Sequence, residues 1–325
     1  MAWLRASGRC AAVISVALAL TCSSASALAE GGQWPVQDAP IRVMNTLSTF
    51  QLYGSRPGFH HGLDLKAPAG TAVVAPVSGE VSTGYYYRRK SPYTYEVAIA
   101  TEGGRRWELH HLAPDTVPAS VERRAAGGGT VEAGEVVGRI YDAAEMGMTP
   151  HVHVNVIGPD GYYLNPLRFL PPLEDQEGPV IRGVYLVDGD DHARSLDSTT
   201  RVQAGSYQLV IDAFDRMPGE TPRQAVYGLE VIRAGERLWR FRFDRLPDKD
   251  FLQGVSDIYR LEPIHLAEGR EISTRLDDEE GRRFLYSTAL SLFEEGSAGQ
   301  VTLRIRASDL AGNATEALFE LEGAR

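Results

Sequence analysis

The sequence predicts an all-β protein built from two antiparallel β domains, and three features of the chain point to this fold class. Residues 36–170 contain short apolar runs separated by turn residues, namely Thr71–Val77, Tyr95–Ala100, Val136–Tyr141 and His151–Ile157. Residues 171–179 are acidic, flanked by prolines and without periodicity, which is typical of a linker. The residues after this linker alternate between apolar and polar side chains. We expect no amphipathic helix in residues 36–170.

The second domain, residues 180–325, is predicted to be an immunoglobulin-like β-sandwich, since roughly 100 residues of strand pattern fit such a fold. Strands are predicted at Gly205–Phe214, Trp239–Phe243, Val301–Ser308 and Ala317–Leu321. A long polar insertion interrupts the pattern between about residues 245 and 298. Within it, Leu246–Asp257 and Arg282–Glu295 are expected to be partly helical.

Residues 1–29 have the pattern of a signal peptide. Arg5 and Arg9 precede the apolar run Ala11–Leu20, and small residues lead to an A-x-A cleavage signal at Ala27–Ala29. The apolar run is shorter than the ~20 residues that a helix needs to span a bilayer. We therefore expect an exported protein, periplasmic or extracellular, with no transmembrane segment after cleavage.

Composition narrows the chemistry of the mature chain. Cleavage after Ala29 removes Cys10 and Cys22, so a metal site must use histidine, aspartate or glutamate. The net charge of −10 argues against nucleic acid as a partner. Six of the eight histidines precede the linker, at positions 60, 61, 110, 111, 151 and 153. This asymmetry assigns the chemistry to the first domain.

Side-chain alternation along a strand groups some of these histidines. His60 and Asp64 share one strand face, with Gly62 between them, while His61 lies on the opposite face. His151 and His153 also share a face, and two such residues lie about 6–7 Å apart. Imidazole and carboxylate are both zinc ligands, so these two faces predict a metal site. Alternation does not choose between His151 and His153.

A third histidine pair lies in the run Trp107–Leu112. Alternation leaves His110 and His111 as equal candidates, because each shares a strand face with an apolar residue. A single histidine pair on a strand is weak evidence for a metal. Three clusters within about a hundred residues of an exported chain without cysteine are much stronger evidence.

The order of the motifs resembles the M23 (lysostaphin/LytM-like) metallopeptidases. Phe59–Val81 is similar to the family signature H-x-G-x-D…GT-x-V-x-A…G-x-V, and Tyr53–Arg56 is similar to the F-G-x-R that precedes it. Further elements follow in the family order: His111-Leu112, Val131–Ile140 and Pro150–His153. The resemblance covers nearly all of residues 45–170 and implies a LytM-like domain.

The resemblance also implies roles for single residues. His60, Asp64 and His153 would be the zinc ligands, and His111 and His151 the two catalytic histidines. His61 and His110 would pack or support a ligand. The chain departs from the family at Asn155, where a glutamate is usual, at Leu109, where a tyrosine is usual, and in the approach Tyr141–Thr149. These departures bear on substrate fit, since none replaces a ligand or a catalytic histidine.

The function implied is a zinc metalloendopeptidase that cuts the cross-link or stem peptides of cell-wall peptidoglycan with a zinc-activated water. One alternative is a non-catalytic LytM-like regulator that binds and activates another wall hydrolase. Another is a zinc-binding structural or adhesive module. The second domain is expected to position substrate, dock a protein partner or block the groove. The sequence does not choose among these, nor does it say which of His111 and His151 is the general base.

Overall fold

The structure is a computed structural model that describes residues 31–37, 39–87, 91–218, 222–274, 282–294 and 299–324. The predicted signal peptide, residues 1–29, lies outside the described residues. Among the described residues, no helix is long and apolar enough to cross a membrane. The chain is nearly all β, as predicted, and most strand pairs are antiparallel.

The described residues of the first half form twelve strands and one α-helix. The strands are β1 Val43–Asn45, β2 Phe50–Tyr53, β3 Arg56–Phe59, β4 Leu63–Lys66, β5 Ala72–Val74, β6 Gly79–Tyr85, β7 Tyr95–Ala100, β8 Arg106–His110, β9 Thr130–Val131, β10 Val136–Arg139, β11 His151–Ile157 and β12 Tyr163–Leu164. The main sheet has the order β1-β4-β11-β8-β7-β6-β9, and β12 pairs with β11. Strands β4, β11 and β8 lie side by side, so this sheet brings the three histidine clusters together.

One α-helix, α1, lies among the described residues of the first half, where the sequence showed no amphipathic helix. It spans Ala119–Gly127 and ends where Gly128 adopts a left-handed conformation, with φ 69°. Only Val121 is buried among its residues. Because a single apolar side chain makes no periodic stripe, the helix left no recognisable pattern in the sequence.

In the second half, the residues that the structure describes form eleven strands in two sheets. They are β13 Val180–Val187, β14 His192–Ser195, β15 Thr199–Val202, β16 Gly205–Phe214, β17 Gly228–Arg233, β18 Glu236–Arg242, β19 Ile264–Leu266, β20 Glu271–Ile272, β21 Leu285–Leu292, β22 Gln300–Ser308 and β23 Ala314–Gly323. The sheet orders are β20-β19-β14-β13-β16-β21 and β15-β23-β22-β17-β18. Apolar residues of both sheets bury one another in one core. That this sandwich is immunoglobulin-like stays a prediction.

The prediction of partly helical segments in the insertion is wrong. Leu285–Leu292 is strand β21 and pairs antiparallel with β16. Its Leu285, Ala289 and Leu292 have the spacing of a helix, which explains the error. The segment 246–257 forms turns and one short 3-10 turn, Val255–Asp257.

The two halves share a core. Leu47, Phe50 and Phe59 of the first half are buried in the apolar cluster of the second half. The Phe59 ring lies 6.1 Å from the ring of Phe243, and its backbone N–H donates to the carbonyl of Phe251 over 2.8 Å. Because Phe59 directly precedes His60, the second half adjoins the histidine clusters.

Candidate metal centre

Three side chains predicted as ligands meet at one point of the main sheet. His60 follows β3, Asp64 lies on β4, and His153 lies on β11 directly opposite Asp64. The Oδ1 atom of Asp64 is 3.1 Å from Nε2 of His60 and 2.7 Å from Nδ1 of His153. The two imidazole nitrogens are 3.0 Å apart. All three side chains are buried.

The outer nitrogens of both imidazoles are hydrogen-bonded to acceptors. Nδ1 of His60 donates to the carbonyl of Thr46 over 3.0 Å. Nε2 of His153 donates to Oδ1 of Asn155 over 2.7 Å. The orientation of the Asn155 amide is fixed, because its Nδ2 donates to Glu108 over 3.0 Å.

It follows that the inner nitrogens of His60 and His153 carry lone pairs in their neutral tautomers. These two lone pairs and the Asp64 carboxylate point at one another across about 3 Å. Three hydrogen-bond acceptors without a proton between them repel one another. A cation bound at their centre would remove this repulsion. Two imidazoles and one carboxylate are a donor set that zinc favours, and three protein ligands leave a fourth position open.

The electrostatics of the site keep the ligands in their metal-binding forms. Burial alone would raise the pKa of Asp64, but the imidazoles of His60 and His151 outweigh it and hold the pKa well below its ordinary value. Burial lowers the pKa of His153 to about 4, against the opposing effect of Asp64. The carboxylate is therefore ionised and this imidazole neutral at neutral pH, as a metal ligand requires.

The two histidines predicted to be catalytic lie on one side of this centre. Nδ1 of His111 donates to the carbonyl of Tyr93 over 2.9 Å, and Nδ1 of His151 donates to that of Thr149 over 2.7 Å. In the neutral form of either imidazole, Nε2 therefore carries the lone pair, and Nε2 of His151 is 3.7 Å from Oδ1 of Asp64. The two rings are 4.7 Å apart between centroids.

His111 is held in an unusual backbone conformation. Its φ of 64° lies in the left-handed region, which costs a residue other than glycine about 1 to 3 kcal/mol. The conformation ends β8 at His110, and the His111 ring stacks on Tyr93 at 3.9 Å between centroids. Burial, assisted by His151 and His153, holds the pKa of His111 well below its ordinary value. The side chain is thus a neutral proton acceptor.

The remaining two histidines of the clusters have other partners. Nε2 of His110 lies 2.9 Å from Glu96 and 3.3 Å from Glu108, and these carboxylates outweigh burial and raise its pKa. The ring of His61 stacks on Phe251 at 4.5 Å between centroids. Neither residue belongs to the cluster of His60, Asp64 and His153.

The groove above the centre has a volume of about 710 Å³. Its aromatic lining comes from both halves of the chain: Tyr53, Tyr86, Tyr87, Tyr93, Tyr163 and Phe251. No lysine or arginine is among the described residues that line it. Asn45, Glu108 and Phe251 are contacts of the site that sequence reasoning missed. Glu108 alone had a sequence signal, since it shares a strand face with His110.

The part of the chain that carries this geometry matches a known protein family. The family model described as peptidase family M23 matches residues 58–166. Residues 58–166 are a peptidase family M23 domain. This M23 domain contains all five predicted site residues, and the family is zinc-dependent. Peptidases of this family are commonly secreted or located in the cell envelope.

The chain is also similar to solved structures, of which three are Csd3, a zinc-containing peptidase and lysostaphin. Csd3 from Helicobacter pylori is 21% identical over 45% of this chain and 36% of its own, with a TM-score of 0.33. The zinc-containing peptidase, from Vibrio cholerae, is 19% identical over 45% of this chain and 41% of its own, with a TM-score of 0.30. Lysostaphin is 13% identical over 91% of this chain and 98% of its own, with a TM-score of 0.34. The chain thus spans less than half of the first two proteins. No curated protein matches the chain.

The pKa of His153 predicts that the zinc-free protein is sensitive to acid. Below pH 6.5 the unfolded chain binds a proton at this residue, whereas the folded chain does so only near pH 4. The contribution of His153 to the free energy of unfolding is therefore fully present above pH 6.5 and is lost as the pH falls from 6.5 to about 4. We expect His153 to lower the free energy of unfolding by up to about 1.4 kcal/mol per pH unit there.

Urea unfolding in the presence of a chelator, between about pH 7 and about pH 4, measures this effect. A His153→Gln variant should lose the contribution, and its stability should depend less steeply on pH. His192→Gln is the matched control, because the His192 side chain is 78% exposed. Equal pH dependence in the wild type and the His153→Gln variant would contradict the prediction.

Proposed function

We propose that the chain is an exported zinc metalloendopeptidase that hydrolyses peptide bonds of cell-wall peptidoglycan. The convergence of three lone-pair donors, from His60, Asp64 and His153, beside two more buried histidines carries this proposal. A purely structural zinc site has four protein ligands and needs no neighbouring base. The family membership of residues 58–166 supports the reaction class.

Zinc, when bound by these three ligands, supplies a Lewis acid for the scissile carbonyl and lowers the pKa of water. The chain supplies the proton acceptors. In the neutral imidazoles of His111 and His151 the Nε2 atoms carry lone pairs, because each Nδ1 donates to a backbone carbonyl. Both side chains line the groove, and Nε2 of His151 lies 3.7 Å from Oδ1 of Asp64. One of them can take a proton from water, and a histidine that carries a proton on Nε2 can stabilise charge that develops on the carbonyl oxygen.

The groove supports a peptide as the substrate. Its volume of about 710 Å³ and its aromatic walls suit a peptide chain laid across the centre. Peptidoglycan peptides are proposed because of the family and because of the predicted signal peptide, residues 1–29. The regulator alternative is less well supported, since a protein that only binds a partner has no use for a complete set of ligands and bases.

The expected result is that the purified chain holds one zinc ion and releases new amino termini from peptidoglycan. His60→Ala and Asp64→Asn should lose both zinc and cleavage, because each removes one of three ligands. His265→Ala is a matched control on the second half, where it should change neither. Full zinc content in the His60→Ala variant would overturn the ligand assignment. Stoichiometric zinc without any peptide release by the wild type would favour the regulator.

A further inference from the structure

Residues 44–49 comprise the end of β1 and its connection to β2, and they lie between the metal centre and the second half; we call them the bridging segment. The segment contacts two of the three ligands. Nδ2 of Asn45 donates to Oδ2 of Asp64 over 2.5 Å. The carbonyl of Thr46 accepts the bond from Nδ1 of His60 that fixes its tautomer.

Among the described residues, three side chains of the second half hold this bridging segment: Tyr259, which donates to the carbonyl of Ser48 over 2.8 Å, Arg282 and Gln224. Nη1 of Arg282 donates to Oδ1 of Asn45 over 2.6 Å. Gln224 is fully buried, and its Nε2 donates to the carbonyl of Met44 over 3.0 Å. Its Oε1 accepts from the backbone N–H of Thr46 over 3.1 Å. Gln224 therefore spans the segment at the residues that contact the ligands.

Two relays of hydrogen bonds thus reach the site, one from Arg282 through Asn45 to Asp64 and one from Gln224 through Thr46 to His60. The chemistry of the groups fixes the direction of these hydrogen bonds. A carboxylate only accepts hydrogen bonds and a guanidinium only donates them, so Asn45 must turn its nitrogen to Asp64 and its oxygen to Arg282. With Oδ2 of Asp64 held by Asn45, Oδ1 is the oxygen that faces His60 and His153. On the other relay, the peptide of Thr46 is held through its N–H while its carbonyl orients His60.

We propose that Arg282 and Gln224 are positioning residues of the metal site, which act through the bridging segment on Asp64 and His60. The inference rests on the zinc site of the proposed function. The second half is then a working part of that site. Loss of a partner that orients a metal ligand typically lowers metal affinity 10- to 100-fold.

The test compares zinc affinity, by competition with a chelating dye, across full-length variants. We expect Arg282→Met and Gln224→Met to bind zinc about 10-fold more weakly than the wild type. Arg282→Lys should recover part of the loss, since an ammonium can donate to Asn45. Arg201→Met is the matched control, because this arginine pairs with Glu322 on the surface of the same half. The visible spectrum of cobalt-substituted protein gives a second readout of ligand geometry.

A double-variant cycle separates positioning from general support of the fold. If Arg282 acts through Asn45, then the double variant Asn45→Ala, Arg282→Met should bind zinc no more weakly than Asn45→Ala alone. Additive losses would overturn the relay. Zinc affinities of Arg282→Met and Gln224→Met equal to that of Arg201→Met would also overturn it, even if their melting temperatures in chelator fell.

The outcomes also separate this inference from the proposed function. Weakened zinc binding in the variants, together with a wild type that cleaves no peptide, would sustain the positioning role and overturn the peptidase. Cleavage by the wild type, with unchanged zinc affinity in the variants, would do the reverse. A wild type that takes up no zinc would overturn both.

Discussion

Replacing His111 with alanine is expected to lower the rate of peptide hydrolysis by about 10²- to 10⁴-fold, while zinc remains bound. His111 lines the groove with a lone pair on Nε2 of its neutral imidazole, and Tyr93 holds the ring by a hydrogen bond and by stacking. Alanine removes the base without touching His60, Asp64 or His153. The decrease should therefore appear in kcat, measured from the release of amino termini at saturating substrate.

His151→Ala is the companion variant, since the two rings face one another at 4.7 Å. If the two histidines act as one unit, then the double variant should be little worse than either single variant. His192→Ala, which changes an exposed histidine of the second half, should leave the rate unchanged. A rate within a few-fold of the wild type for His111→Ala, at full zinc content, would remove this residue from the reaction.

Phe59→Ala is expected to lower the free energy of unfolding by about 3–5 kcal/mol, which is a large fraction of the stability of an ordinary domain. The ring is fully buried and packs against Phe243 at 6.1 Å and Tyr259 at 6.0 Å, both from the second half. Alanine leaves a cavity where the two halves meet. Because His60 follows directly, zinc affinity should fall as well.

Urea unfolding of the zinc-free variant measures the first effect, and chelator competition measures the second. Leu52→Ala lies on the neighbouring strand and is the control, since Leu52 is 51% exposed and should change stability by no more than about 0.5 kcal/mol. If Phe59→Ala costs no more than Leu52→Ala, then the shared core does not support the metal centre.

Much of the site follows from local sequence, because strand alternation survives folding. His151 and His153 lie two residues apart on β11, as alternation requires, and β4 and β11 pair so that Asp64 lies opposite His153. His60 lies between β3 and β4, outside any strand, so its contact with Asp64 does not come from alternation along one strand. Alternation failed at His110 and His111 for a physical reason. The positive φ of His111 ends the strand and turns that side chain out of the alternation, so only the family resemblance distinguished the two.

Other parts of the site had no signal in the sequence. Gln224 contacts Thr46 across 178 positions and Arg282 contacts Asn45 across 237. Nothing near either residue marks it as a partner of the site, since glutamine and arginine are ordinary surface residues. Such long-range contacts depend on how two sheets and a hairpin pack. The predicted boundary at residues 171–179 gave no sign that Phe59 lies in the core of the other half.

The buried position of Phe59 also has an evolutionary consequence. Metallopeptidase domains can be exchanged between proteins only if each keeps its own complete hydrophobic core. In this chain the strand that delivers a ligand has its core partner in the other half, so recombination at the linker would separate residues that need one another. Substitutions on the two sides of this contact should therefore be inherited together, and the pair should have diverged as one unit.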